Sequence, residues 1–309
     1  MIDLATIENH AQLTRVTCGW KKAQLPLDLV RRYWRDVHSP AIARRAGVYD
    51  YRHFQFAPAR DNFFGAIPDL SQSCPGDAQL MWLSDVRYRD EAALAEFGRS
   101  PEGVVKTQLL ADIDLIVDRS TTYRAVGRDA WTYADSTGVA MPQGPVSLPT
   151  YGLFFRQRGD DPDFRAFVSQ LSQTWAAMRG VRRLRLTLFE APDMDAERKA
   201  GYPVKTHPPE QQYQAWIDLS LASDDIANQL LARDVHLDFA IHVRELHCYP
   251  VLVIYTSVYA GHPTLVGLRG YPAYEAIQGL GGDNQCQPEL LEWLYGPIAR
   301  GGSAENKNP

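Results

Sequence analysis

The chain is poor in the features that would place it quickly. Four cysteines in 309 residues, Cys18, Cys74, Cys248 and Cys286, form no close pair and no zinc spacing, so reduced thiols and a cytoplasmic location are expected. No basic stretch leads into an apolar one after Met1-Ile2-Asp3, which gives no export signal. The longest apolar run, Tyr249 to Val258, is strand-length, and no membrane span is expected. A net charge of -5 supplies no basic face for phosphates, which excludes nucleic acid as an expected partner. Gly279-Leu280-Gly281-Gly282-Asp283-Asn284 lacks the Lys-Ser or Lys-Thr of a P-loop and follows no strand, so it implies no nucleotide cofactor. With 45% hydrophobic residues the remainder is ordinary globular composition.

Periodicity orders what is present. Thr14 to Trp20 reads as a strand, and a helix from Leu27 places Val30, Trp34, Val37 and Ala41 on one face, with Pro40 ending or kinking it. Tyr49–Phe56 and Gln79–Ser84 read as strands, Glu91–Phe97 and Gln108–Val117 as helices, and Thr121–Val126 as a strand. The order is β-α-β-β-α-β, and it recurs. Tyr151–Arg156 is a strand, Phe164–Met178 a helix, and Val181–Phe189 a strand with Leu184, Leu186 and Leu188 opposite Arg183, Arg185 and Thr187. Gln212–Leu219 is a strand, a helix capped by Ser223 runs to about Ala232, and Tyr249–Val258 closes the set. The expected organisation is an α+β chain of two tandem ferredoxin-like units: residues 1–130, a linker over 131–149, residues 150–260, and a C-terminal extension over 261–309. Two such units packed sheet against sheet enclose a barrel, and the space between them is the default ligand cavity. Trp34 with His38, and Trp175 with Arg179, sit at matching places on the first helices, which suggests divergence with one surviving pocket.

Tyr33-Trp34-Arg35-Asp36-Val37-His38-Ser39-Pro40, followed by Ala46-Gly47 and a Tyr-rich strand, resembles the first-helix motif of EthD-like proteins of the dimeric α/β-barrel superfamily. Tyr88–Glu96, Ser100-Pro101-Glu102 and Ala111-Asp112 extend the resemblance over roughly Leu13 to Val126. It implies the barrel fold and a habit of forming homodimers. Related barrels include cofactor-free isomerases, cyclases and dehydratases, monooxygenases and haem enzymes, so the fold does not choose the chemistry.

His38 is the first candidate acid/base, because an imidazole moves protons either way near neutrality; the plainer alternative is a cap on the kinked helix end. His53 shares a strand face with Tyr49, Tyr51 and Gln55, suited to a planar or phenolic ligand and equally to an exposed sheet surface. Asp36 and Asp112 are carboxylates able to orient an imidazole, against the structural role usual for such residues. Arg183 and Arg185 could take a substrate carboxylate, or simply solubilise a sheet surface beside acidic neighbours. Tyr33, Trp34, Tyr49 and Tyr51 join them as candidate substrate-binding residues, while Trp82, Trp131 and Trp216 read mostly as core. His236, His242 and His247 raise a metal question, but their spacing fits neither a helix face nor a strand alternation, and no metal is expected. The expected function is a cofactor-independent lyase or isomerase acting on a hydrophobic, oxygenated small molecule. A non-catalytic ligand-binding protein and a haem enzyme of the same superfamily are the alternatives.

Overall fold

The computed structural model describes residues 3–100, 102–193, 206–230 and 235–296. A short helix, α1 (Leu4–Glu8), precedes β1 (Leu13–Lys21). The first long helix is α2 (Leu27–Tyr33), a π-turn (Trp34–His38) and α3 (Ser39–Ala43) in succession. β2 (Val48–Phe56), β3 (Trp82–Tyr88), α4 (Glu91–Arg99), α5 (Gly103–Ile116) and β4 (Val117–Val126) complete the first half. β5 (Ala130–Asp135) and β6 (Gln143–Pro145) occupy the stretch expected to be a bare linker. The second half is β7 (Thr150–Gln157), α6 (Phe164–Ala176), β8 (Val181–Leu188), β9 (Ala215–Leu221), α7 (Val235–His242) and β10 (Val243–Tyr259). β11 (His262–Pro263), α8 (Leu265–Arg269), α9 (Tyr271–Gly279) and α10 (Pro288–Tyr295) form the extension.

The strand order β4-β1-β3-β2-β10-β7-β9-β8-β5 contains the ferredoxin-like order twice, all neighbours antiparallel. One chain supplies both units of the curled sheet. β10 pairs with β7 through Pro250 and then with β2 from Val251, so one strand serves both halves. β4 pairs with β1, and after a turn at Gly127–Asp129 the chain continues as β5 on β8.

Register makes the duplication quantitative. The β2/β3 ladder slips between Val48 and Asp50, and the β8/β9 ladder between Val181 and Arg183. Matching slips fall at Trp20/Lys21 and Val243/Glu245, and at Thr256/Val258 and Thr132/Ala134. These bulges equate the positions of the main strands of one half with those of the other, while the slip at Val251/Val253 has no counterpart. Aligned so, Thr14 matches Thr150, Arg52 matches Arg185, Asp85 matches Asp218, Tyr123 matches Tyr249 and Thr132 matches Thr256.

The sheets' inner faces are filled by side chains rather than lining the expected chamber. Val16, Cys18, Phe54, Leu83 and Tyr123 of the first half pack against Phe154, Trp216, Tyr249 and Val251 of the second. Toward one end sits a buried ionic network of Glu8, Asp50, Arg52, Asp85, Arg87, Asp135, Arg183, Arg185 and Asp218. Glu8 reaches in from α1. Its carboxylate meets Arg52 at 2.6 Å, both terminal nitrogens of Arg183 at 2.8 and 2.9 Å, and Arg87 at 3.1 Å. Burial opposes ionisation of Glu8, yet the three guanidiniums outweigh it and hold the carboxyl well below its ordinary value. Arg183 and Arg185 are therefore neither solvated nor on an open surface, a correction to the surface alternative. Arg185 donates to Thr132 and Thr14, and burial among Arg87 and Arg183 pushes it down to about 9.

Other differences have local causes. The π-turn makes the buried stripe of the first helix pass from Val30 and Trp34 to His38, Ser39 and Ala43, leaving Val37 exposed. Pro40 lies in the first turn of α3, so the helix is widened and continued instead of stopped. β3 ends at Tyr88 rather than Ser84, because its Asp85 and Arg87 point into the ionic network and break the apolar alternation. Ser223 makes no side-chain cap, and Asp224–Gln229 is 3-10 helix; residues 231–234, where the expected helix ends, lie outside the described residues.

Candidate active site

In each half the helices cover the sheet's outer face, and there the halves part company. In the second half the described residues of that layer pack closely. Leu153, Leu184, Leu186, Ile217, Leu219, Leu246 and Cys248 pack under Phe164, Val168, Leu171 and Trp175. Phe63, Phe64 and Ile67, from the segment between β2 and β3, fill the remaining room, with Phe63 4.6 Å from the Tyr151 ring and Phe64 5.7 Å from Trp175. In the first half the same layer holds a pocket of about 90 Å³. Trp34, His38 and Ile42 line it from the first helix, Phe97 from α4, and Leu109 and Ile113 from α5. Arg15, Thr17, Tyr51, Ser84, Val86, Ser120 and Thr122 line it from the sheet.

The strand positions match residue for residue. Where the second half has Tyr151, Leu153, Leu184, Leu186, Ile217, Leu246 and Cys248, the first has Arg15, Thr17, Tyr51, His53, Ser84, Ser120 and Thr122. One scaffold thus carries an apolar outer face in one copy and a polar one in the other. Polar groups under a helix layer cost free energy unless satisfied, so the scaffold itself does not call for them.

His38 is buried, and its Nδ1–H donates to the Asp112 carboxylate, 2.9 and 3.2 Å from the two oxygens. This bond puts the neutral ring's proton on Nδ1 and leaves Nε2 as the acceptor, with no hydrogen bond to the described residues. The Trp34 ring lies 4.1 Å away, tilted by 30°, as the four-residue spacing implied. Trp34 Nε1 donates to Ser84 Oγ at 3.2 Å, Tyr51 OH is 3.0 Å from Ser39 Oγ, and Ser84 Oγ is 3.4 Å from Tyr51 OH. Tyr51 OH thus lies between two hydroxyls in the lining it shares with His38, its phenol kept protonated by burial.

The other candidates lie elsewhere. His53 shares the Tyr51 face but sits beyond Trp34, between that ring and Tyr255, and accepts from the Gln55 amide at 3.2 Å. Burial first, then the charges of Arg31 and Arg35, with that of His38 whenever its ring is protonated, push it down to about 3, so it stays neutral. Asp36 is clamped by Arg35 Nε and Nη2 at 2.7 and 2.6 Å; the imidazole belongs to Asp112. Tyr33 is half-buried and outside the pocket lining, and Tyr49 donates its OH to the Ile7 carbonyl. His242 pairs with Asp161 and His247 with Tyr213, while nothing is described of the His236 side chain. Among the described residues no group of three or more His, Cys, Asp or Glu could hold a metal ion, and no helix is long and apolar enough to cross a membrane. Arg15, Thr17, Ser39, Ser84, Ser120 and Thr122 escaped the sequence reading. The signal for them was the contrast between Arg15 and Thr17 in β1 and Tyr151 and Leu153 in β7.

The extension braces this site. Arg44 donates to the Leu268 carbonyl at 2.7 Å, the Arg35 guanidinium lies 4.7 Å from the Tyr271 ring centre, and α8 meets α3 at Gly267 and Ala43.

No family model matches the sequence, and no curated protein matches it. The strand order defines a duplicated ferredoxin-like fold, and the solved structures similar to it are so at low sequence identity. An anthrone oxidase-like protein is 10% identical, with 82% of this chain and 95% of that one covered and a TM-score of 0.48. A monooxygenase candidate from Fusobacterium nucleatum is also 10% identical, covering 81% and 96% with a TM-score of 0.42. A second, from Lactobacillus acidophilus, is 8% identical, covering 80% and 97% with a TM-score of 0.42.

Proposed function

We propose that the chain is an enzyme of the lyase or isomerase type that moves a proton on a small, hydrophobic, oxygenated molecule held between the first sheet and its helices. The observation that carries this is the polar face of the first half set against the apolar face of its own duplicate. His38 Nε2 takes a proton from carbon next to a carbonyl and returns it to another atom of the same molecule. Asp112 holds the ring's tautomer and steadies the imidazolium formed in between. Tyr51, backed by Ser39 and Ser84, donates to the oxygen on which charge develops. Trp34 and the aliphatic walls keep water from that charge.

The test is hydrogen–deuterium exchange at the α-carbon of cyclic and short-chain ketones in D2O, followed by proton NMR, over a panel of such compounds. His38→Gln should slow exchange by about 10²- to 10⁴-fold. Asp112→Asn should slow it too, by leaving the ring free to take the wrong tautomer. Wild-type rates in a folded His38→Gln protein would remove the assignment. Ligand binding with no exchange anywhere in the panel would favour a binding protein.

A further inference from the structure

The same pocket has two unlike ends. Trp34, His38, Tyr51 and Ser84 are buried, whereas Arg15, Thr17, Ser120 and Thr122, on the outer faces of β1 and β4, are half-exposed. The reacting groups therefore lie at the blind end, and a guanidinium with three hydroxyls lies at the mouth. The rest of the lining is apolar apart from Tyr88 and a second guanidinium, Arg45, which donates to the Ser100 and Phe97 carbonyls. We propose that the mouth is a carboxylate subsite built on Arg15, and that the natural ligand is a small keto acid, its ketone toward His38 and Tyr51 and its carboxylate toward Arg15. This assignment of substrate class rests on the function proposed above for the same pocket.

Three observations support it. The register-matched residues of the duplicate are Tyr151, Leu153, Leu246 and Cys248, so the arginine and all three hydroxyls are departures from what the scaffold tolerates at those places. Thr17 and Thr122 face each other across the β1/β4 ladder with their hydroxyl oxygens 3.1 Å apart. One of the two hydrogens serves that bond, and the other is available to a ligand oxygen beside Arg15. A guanidinium presents parallel N–H groups that match a carboxylate's two oxygens, a fit no neutral ester can reproduce. Size narrows the class further. About 90 Å³ is less than the roughly 150 Å³ of a cavity that takes up benzene, which favours a short chain over a fused ring system.

The experiment is calorimetric binding of two probes, levulinate and its methyl ester, to the full chain and to Arg15→Gln and Thr17→Val. Wild type should prefer the acid, and Arg15→Gln should lose about 10- to 100-fold in affinity for it while holding the ester unchanged. Thr17→Val should lose less and in the same direction; an unchanged melting temperature in both variants confirms that they are folded. Equal affinity for acid and ester, an Arg15→Gln protein that still prefers the acid, or failure of both probes to bind would each overturn the proposal. The outcome separates from that of the proposed chemistry. Selective binding of levulinate without α-proton exchange keeps the subsite and removes the proton transfer. Exchange on neutral ketones that ignores Arg15 does the reverse.

Discussion

Removing the Glu8 carboxylate tests the physical account of the barrel. Glu8 is 1% exposed and answers three arginines drawn from both halves, Arg52 of β2, Arg87 of β3 and Arg183 of β8. Replacing it by alanine leaves those guanidiniums short of one anion where water does not reach, and unpairing a buried ion in this way costs about 3–5 kcal/mol. Part of the loss is recovered locally. Asp50 has its carboxyl raised by burial, and by the charges of Glu8 and Asp85, against the pull of Arg52 and Arg87. Without Glu8 it ionises more readily and moves toward the arginines. At the 2–4 °C per kcal/mol of a chain this size, Glu8→Ala should lower the melting temperature by about 6–20 °C near pH 7. Sign matters for the acid side. The Glu8 carboxyl is held well below its ordinary value, so its stabilisation is present above the unfolded-state value and lost as pH falls toward the folded one. The gap between wild type and Glu8→Ala should therefore shrink once pH falls below the unfolded carboxyl's value, read by scanning fluorimetry from pH 7 down to about pH 3. A melting temperature within 2 °C of wild type at pH 7, or a gap that widens in acid, would show that Glu8 is not what ties the halves together.

Two further outcomes follow from the packing. At Gly267 an added Cβ would lie 2.1 Å from the Ser257 carbonyl oxygen, a backbone atom that cannot swing away, and 3.2 Å from Ala43 Cβ. Gly267→Val should cost about 1–3 kcal/mol in urea unfolding and, by pushing α8 off α3, slow His38-dependent exchange; full activity would refute the bracing role. His53, held down to about 3, stays neutral in the fold while the unfolded chain takes up a proton below about 6.5, so the folded state loses stability as pH falls between those values. His53→Leu, the residue its duplicate carries as Leu186, should flatten that slope in melting temperatures taken between pH 7 and 4, and an unchanged slope would place the ring in water.

The fold was legible because the order of elements repeats and the helices are strongly patterned. The pocket lining was legible in part: Trp34, His38 and Tyr51, named as candidates from the sequence, all line it, and helix spacing had placed the first two on one face. What misled was polarity. Arg183, Arg185 and Thr187 alternate with leucines as on a solvated sheet face, yet here the leucines lie under the helices and the arginines inside the barrel. A strand reports that its faces differ, and not which face meets water. Likewise the residues of β1 that shape the pocket mouth are individually ordinary, and only pairing tells that Arg15 stands where Tyr151 does.

That pairing also explains why the two helix-covered faces differ. Two copies of a unit would present two helix-covered faces, and either could open. In the second, apolar side chains rise from the matched strand positions, the Phe63–Phe64 segment packs against them, and the first helix ends at Ala176, leaving Arg179 exposed in the following turn. In the first, the helix runs on through the π-turn, which sets the imidazole in the pocket lining against Asp112. The inner faces kept Arg52 and Arg185, Asp85 and Asp218, Tyr123 and Tyr249, because each copy leans on the other there and a change in one must be answered in its mate. The outer faces answer only to their own helices. Freed from that constraint, one copy became the packed support and the other was left able to trade apolar contact for hydroxyls, an imidazole and a guanidinium.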